Sequence, residues 1–407
     1  MKLREVLRHQ LQEIVLPLSE SSQLESQAKE IIKKLAAKNL VAKIGGSVAK
    51  GTVVKKERRQ DVDIFVVFEN NKKLETLEGT LKKMDLPGVL KKVHGSRDYF
   101  QIQNSSAIFE IIPVLQNTDP DLAENVTDVS LQHVTYVRGK LREYPKLADD
   151  IRLAKAFCRA QRVYGAESYI NGLSGYSIEL LVIYYKSFEK FLKGLGKETK
   201  QIVIDPVKHF KKADVLREIN ASKLQGPIVL VDPTHKYRNA SAGLRGEAFK
   251  RFQKAAREFL KFPSQDFFVL KEIDISGLRR KAEKNSATFF TVKLTTDRQA
   301  GDIAGTKMKK FFDFFVDELE RRCQKVLANE FDYRGSGQVA SGYLVVKEEK
   351  EVECRGPSLE MEKQAKAFGK VHGKDAYEKK GYLWIKRKES VKGIFGKIKK
   401  VGKEMDV

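Results

Sequence analysis

The feature that most limits what this chain can fold into is a pair of aspartates inside an apolar run. Asp61 and Asp63 stand two apart in Asp-Val-Asp-Ile-Phe-Val-Val-Phe, residues 61–68. β-Branched and aromatic residues make that run a strand. A strand's period of two puts both carboxylates on one face, while Val62 and Ile64 turn to the core. Like charges side by side repel, and a divalent cation is the usual reason for a fold to keep them together. Magnesium prefers carboxylate oxygens combined with substrate phosphates.

Upstream, Gly45-Gly46-Ser47 follows the strand-like run Val41–Ile44 and precedes a helical turn. Glycines let the backbone approach a phosphate closely. Amides at a helix start, with the Ser47 hydroxyl, can donate to it. Lys50, three residues on, adds positive charge on the same face. Glu110 stands alone among apolar residues in Ile108-Phe109-Glu110-Ile111-Ile112. An unpaired buried carboxylate is costly, and coordination removes that cost. Asp61, Asp63 and Glu110 would together hold two metal ions about 4 Å apart, the arrangement that drives in-line nucleotidyl transfer. Any one of these pieces has a plain structural reading, as a turn, an exposed pair or an edge-strand acid. Their order is the specific signal: strand, Gly-Gly-Ser, thirteen residues, Asp-x-Asp, then an acid on a later strand.

The chain has 407 residues and a formal net charge of +23. That length predicts two to four domains. The charge announces a polyanionic partner. No apolar run approaches the ~20 residues of a membrane span, and charges interrupt the apolar positions of the N-terminal segment, unlike a secretory signal. Nucleic acid is therefore the expected partner, with no membrane. Cys158, Cys323 and Cys354 are scattered and odd in number, and the histidines form no HxxxH pair. The reading is a reduced, cytoplasmic protein without zinc. A homodimer is left open.

Helical spacing predicts helices over residues 3–16 and 22–38, and strands at 41–44, 61–68, 99–103 and 107–115. From about residue 148 the pattern becomes helical, including one apolar helix from Ile178 to Phe191, and it stays helical to about Leu260. Pro263-Ser264 marks a boundary. Beyond it come strands at 287–294, 341–346 and 382–388, a helix from Met308 to Leu327, and a basic amphipathic stretch from Lys392 to Lys403. The expected fold class is α+β multidomain. Residues 1–140 form a small mixed-sheet head, 141–262 a helical neck, and 263–407 an α/β body and tail.

These residues resemble the signature of the DNA polymerase β-like nucleotidyltransferases, and within them the class I, archaeal-type CCA-adding enzymes. The resemblance covers most of the chain. It runs through Asp128–His133, Arg152–Lys155, Val163-Tyr164-Gly165, Ser174–Leu181, Val231–Asn239, and Arg355-Gly356-Pro357 followed by Tyr382-Leu383-Trp384. It implies a nucleotidyltransferase head that adds C, C and A from CTP and ATP to the 3′ end of tRNA without a nucleic-acid template, releasing pyrophosphate. Asp61, Asp63 and Glu110 would bind two magnesium ions, and Gly46, Ser47 and Lys50 the triphosphate. His133, Lys155 and Tyr164 would contact the phosphates and sugar, and Arg238 would help to read the base. Lys50 stands where arginine is common, Glu110 where aspartate is usual, and the loop 55–60 is basic instead of acidic.

Lysine-rich runs, among them 208–212, 279–284, 307–310, 386–388 and 397–403, add up to a phosphate-contacting track; the resemblance implies that it carries the acceptor and TΨC region of tRNA. Recognition of that kind reads shape and backbone. Two other readings share these residues. A poly(A) polymerase or oligoadenylate-synthetase-like enzyme has the same catalytic kit, and an inactive RNA-binding relative would keep the charge without the chemistry.

Overall fold

The computed structural model describes residues 2–407 except 57–58, 96, 117–118, 120, 122, 124, 212–213, 349–351 and 388–389. Parts of three basic segments, at Arg58, Lys212 and Lys388, lie outside the described residues. The chain divides into two units, Met1–Lys271 and Glu272–Val407.

The first unit begins with two helices, α1 (Leu3–Ile14) and α2 (Leu18–Ala36). Strand β1 (Val41–Ile44), the short helix α3 (Gly46–Lys50) and strand β2 (Gln60–Phe68) follow. After helices α4 (Asn71–Glu75) and α5 (Leu77–Lys82) come β3 (Val89–Val93), β4 (Tyr99–Gln103) and β5 (Ala107–Leu115). Among the described residues these five strands make one mixed sheet, ordered β1-β2-β5-β4-β3. Its β2–β5 pair is parallel and sets Asp63 opposite Glu110, with Asp61 opposite Ile108. Parallel partners in register share a face, so the three carboxylates lie on one side of the sheet. Val62, Ile64, Phe109 and Ile111 pack on the other against Ile31 and Leu35 of α2.

Helices α6 (Ser130–Glu143), α7 (Leu147–Ala160), α8 (Gly175–Tyr185) and α9 (Phe188–Gly196) come next. They share an aromatic core with α11 (Gly246–Lys261), in which Phe157 meets Phe188, Phe252 and Phe259 with ring centroids 5.7–6.1 Å apart. Between α9 and α11 the chain forms β6 (Ile202–Ile204), α10 (Val215–Glu218), β7 (Ile228–Asp232) and β8 (His235–Asn239). The three strands make a sheet of their own inside the stretch whose periodicity reads as helical. Ile228–Val231 are all buried, and a short apolar run does not reveal its period.

The apolar run from Ile178 to Phe191 also differs from expectation, since it forms two helices. Lys186 takes left-handed backbone at φ 63°, and the Ser187 side chain accepts from the Lys190 amide to start α9. A Cβ at Gly194 would sit 2.3 Å from Tyr185, so only glycine lets α9 fold back against α8.

The second unit contains α12 (Ile275–Lys284), β9 (Thr288–Thr295), α13 (Asp302–Arg321), β10 (Lys325–Asp332) and β11 (Val339–Lys347). It continues with β12 (Val352–Ser358), α14 (Glu362–His372), β13 (Ala376–Lys379), β14 (Tyr382–Arg387) and α15 (Val391–Glu404). Two sheets result, β10-β11-β9 and β12-β14-β13. Helix α13 packs Phe311, Phe312 and Phe315 on the first sheet and holds Ile394 and Ile398 of α15. It stops at Arg321, six residues before the expected Leu327, because Cys323 turns left-handed at φ 60° and strand β10 begins at Lys325. Cys323 and Cys354, which read as scattered thiols in the sequence, form a disulfide with Cα atoms 6.2 Å apart, and Cys158 is a buried free thiol. Among the described residues no helix is long and apolar enough to cross a membrane.

One buried ion cluster joins the head sheet's loop to the helices. Glu179 of α8 is fully buried. Its Oε2 accepts from Lys50 Nζ at 2.6 Å, and its Oε1 accepts from Lys155 Nζ at 2.7 Å and from the Thr52 hydroxyl at 2.6 Å. Burial alone would raise this carboxyl, but the charges of Lys155 and Lys50 outweigh it and hold the pKa at about 2. A carboxyl held that low contributes fully above its ordinary range and loses the contribution as pH falls through 4 toward 2. Removing one partner of such a buried pair costs about 3–5 kcal/mol. Glu179→Ala is therefore expected to lower the free energy of unfolding at pH 7, read from urea curves, by that amount. Glu179→Gln should remove this group's share of the fall in stability between pH 4 and pH 2, read from unfolding curves across that range.

Candidate active site

The Gly-Gly-Ser turn and the aspartate strand are locked together. The Gly45 amide donates to the Asp63 carbonyl at 2.8 Å. Gly46 has φ +57°, and a Cβ there would sit 1.5 Å from Asp63 Oδ2. Glycine is therefore required at 46 on both backbone and steric grounds. The turn leads into α3, which carries Ser47 and Lys50 on one face toward the carboxylate strand. Gly175 performs a similar service at the start of α8, where any Cβ would lie 2.8 Å from the Tyr164 hydroxyl.

A cleft of about 280 Å³ opens over the carboxylate face of the sheet. Ser47, Lys50, Asp61, Asp63, Glu110, Lys155 and Tyr164, all singled out from the sequence, line it together. Burial, reinforced by the charge of Asp61 and opposed by Lys50, raises the Asp63 carboxyl above its ordinary range. Glu110 is raised to about 7, first by burial and then by the charge of Asp63, against a 2.9 Å hydrogen bond donated by Gln101. The Lys56 ammonium pairs with Asp61. Among the described residues no group of three or more His, Cys, Asp or Glu side chains is gathered tightly enough to hold a metal ion as it stands. The donor chemistry nevertheless fits a hard divalent cation. Three carboxylates face one cleft, two are pushed toward protonation by burial and by one another's charge, and the third pairs with an ammonium.

His133 and Arg238 lie one layer behind, outside the cleft lining, and meet at Asp232. Asp232 is fully buried at an irregularity in the β7–β8 pairing. Its carboxylate accepts from Arg238 Nη1 at 2.6 Å, from the Tyr176 hydroxyl at 2.9 Å, and from the Thr234 amide and hydroxyl at 2.9 Å; His133 Nε2 lies 3.1 Å from it. Burial opposes that charge, but the His133 bond and the Arg238 charge outweigh it and hold the carboxyl below the usual range. Burial in turn depresses His133 below its ordinary value, against the pull of Asp232. The imidazole stacks on Tyr176 with centroids 3.9 Å apart, and Tyr176 lines the cleft. Tyr176 is thus the surface through which His133 and Arg238 bear on the cleft. The Arg238 guanidinium lies 5.8 Å from its ring centroid.

Sequence reasoning passed over Glu179, Thr52, Lys56, Gln60 and Arg159 in the lining, and Asp232 behind it. Two signals were available. Glu179 is the one charged residue in the otherwise apolar stretch 178–183, and Arg159 follows Lys155 by four residues and so shares its helix face. Of the residues read from the C-terminal region, Tyr382 lies under Arg355 at 4.7 Å and Trp384 under Lys379 at 5.3 Å, each in a cation–π contact within the second unit.

Known proteins resemble this chain over most of its length. A family model described as tRNA nucleotidyltransferase, second domain, matches residues 149–269. The CCA-adding enzyme of Nanoarchaeum equitans is 32% identical over 296 residues, 71% of this chain and 70% of that protein. The CCA-adding enzyme of Saccharolobus shibatae is 27% identical over 347 residues, 84% of this chain and 77% of that protein. Among solved structures, a cytoplasmic RNA terminal U-transferase shares the fold over 66% of this chain and 100% of its own, at TM-score 0.52 and 13% identity. The Cid1 poly(U) polymerase does so over 67% and 100%, at TM-score 0.52 and 11% identity. With an α+β head carrying three carboxylates over a Gly-Gly-Ser turn, and with these relatives over most of its length, the chain belongs to the CCA-adding enzyme family of tRNA nucleotidyltransferases.

Proposed function

We propose that this protein completes the 3′ end of tRNA by adding C, C and A from CTP and ATP at the single cleft over β2 and β5. The observation that carries the proposal is the cleft itself, in which Asp61, Asp63 and Glu110 face Ser47, Lys155 and Tyr164. Asp61, Asp63 and Glu110 would hold two magnesium ions. When bound, such ions favour ionisation of the attacking 3′-hydroxyl and neutralise the pyrophosphate that leaves.

The chain's own residues supply position and exclusion. The α3 backbone and the Ser47 hydroxyl donate to the triphosphate, and Gly46 keeps that turn against Asp63. Glu179 holds Lys50 and Lys155 side by side at the cleft wall. Asp232 fixes Arg238 and His133 behind Tyr176, where a planar guanidinium with several donors suits a base edge. The basic body and tail, with residues 263–407 as their extent, would carry the acceptor and TΨC region of tRNA. The proposed place of action is the cytoplasm, where tRNA is matured.

Purified protein given tRNA lacking its terminal CCA, with magnesium, CTP and ATP, is expected to make three defined additions and stop. A long adenylate tail would favour the poly(A) polymerase reading, and no incorporation would sink both. Asp63→Ala should abolish incorporation while leaving the circular dichroism spectrum unchanged. Gly46→Ala must push the Asp63 carboxylate aside, and a displacement on the order of 1 Å at a reacting centre costs roughly 100-fold. Its incorporation rate should fall at least that far at saturating nucleotide.

A further inference from the structure

Among the described residues four cations line the cleft: Lys50, Lys56, Lys155 and Arg159. Three are already engaged. Lys56 pairs with Asp61, and Lys50 and Lys155 bond the two oxygens of Glu179, with Lys155 also donating to Thr52 at 3.0 Å. Both partners of Glu179 are almost wholly buried, their side chains 9% and 5% exposed. Arg159 differs. It sits one turn beyond Lys155 on the same face of α7, and among the described residues it has no ion pair and no hydrogen-bond acceptor. Its contact there is with the Tyr164 ring, whose centroid lies 5.1 Å from the guanidinium carbon. A ring face attracts the charge but supplies no acceptor for the N–H groups. A guanidinium with unspent donors in a polar cleft is matched to a phosphate, which it can bind through two parallel hydrogen bonds.

We infer that Arg159 is a binding residue for the triphosphate of the incoming nucleotide, held over the cleft by Tyr164. The inference rests on the proposed nucleotidyl transfer and adds to it a phosphate contact that the family signature does not contain. Because the contact is to phosphate and not to the base, it serves CTP and ATP alike. Lys50 and Lys155 then act chiefly through Glu179 to build the wall, and Arg159 supplies the donors free to meet the substrate.

The test is calorimetric titration of wild type, Arg159→Ala and Arg159→Lys with CTP, ATP and inorganic tripolyphosphate, alongside steady-state kinetics on trimmed tRNA. A lost charge-assisted contact of this kind weakens binding about 10- to 100-fold. Arg159→Ala is expected to lose that much affinity for all three ligands and to raise KM for CTP and ATP by one common factor, with KM for tRNA unchanged. Arg159→Lys should recover part of the loss, since it keeps the charge without the fork. An unchanged thermal midpoint in both variants separates the effect from misfolding. Affinities within twofold of wild type, or a defect confined to tRNA, would overturn the inference. Wild type that binds CTP and ATP but adds nothing to tRNA would instead overturn the proposed function and leave Arg159 as a triphosphate contact.

Discussion

The cleft depends on one buried carboxylate. Glu179 lies on α8, Lys155 on α7, Lys50 on α3, and Thr52 just beyond it, so four segments meet at two oxygens. Two ammonium groups and an acid removed from water are stable only as a set. The set therefore fixes the distance between the Gly-Gly-Ser turn and the helices behind it. Arg152 repeats the tie one turn earlier on α7, donating to the Gly51 and Val53 carbonyls at 2.6 and 3.2 Å. The sheet and the helices thus share one boundary, and the substrate cleft is what that boundary leaves open.

A second carboxylate does the same behind Tyr176. Asp232 collects one group from α6, one from α8 and one from β8. The two acids are built alike, each buried and held ionised by cationic or donor partners from distant parts of the chain. Glu179 borders the same cleft as the sheet carboxylates, and Asp232 lies behind it. The molecule thus keeps two kinds of acid: those that tie its segments together, and those on the sheet face, of which burial raises Asp63 and Glu110 above their ordinary range.

The sheet was legible because its strands are half-buried. Val41–Ile44, Tyr99–Gln103 and Ala107–Leu115 run as their alternation predicts, and the face shared by Asp61, Asp63 and Glu110 follows from strand period and register. Strand β3 was not, since its residues Val89–Val93 are largely exposed at the sheet edge and alternate weakly. The break at Lys186 and the end of α13 at Arg321 depend on single left-handed residues that no periodicity announces. At the site, the motif residues were readable because each lies within a short segment of defined period. Their partners were not. Glu179 meets Lys50 across 129 residues and Asp232 meets His133 across 99, separations at which sequence spacing carries no signal.

The contact between Gly46 and Asp63 has a further consequence for how this active centre can change. The missing Cβ at 46 is the space in which the Asp63 carboxylate stands, so the two positions are one object cut across a loop. The intervening residues carry ties of their own, Lys50 and Thr52 to Glu179 and Lys56 to Asp61. Lengthening the acid at 63 would run into the Gly-Gly-Ser turn. Redesign must therefore treat turn and strand as a single part.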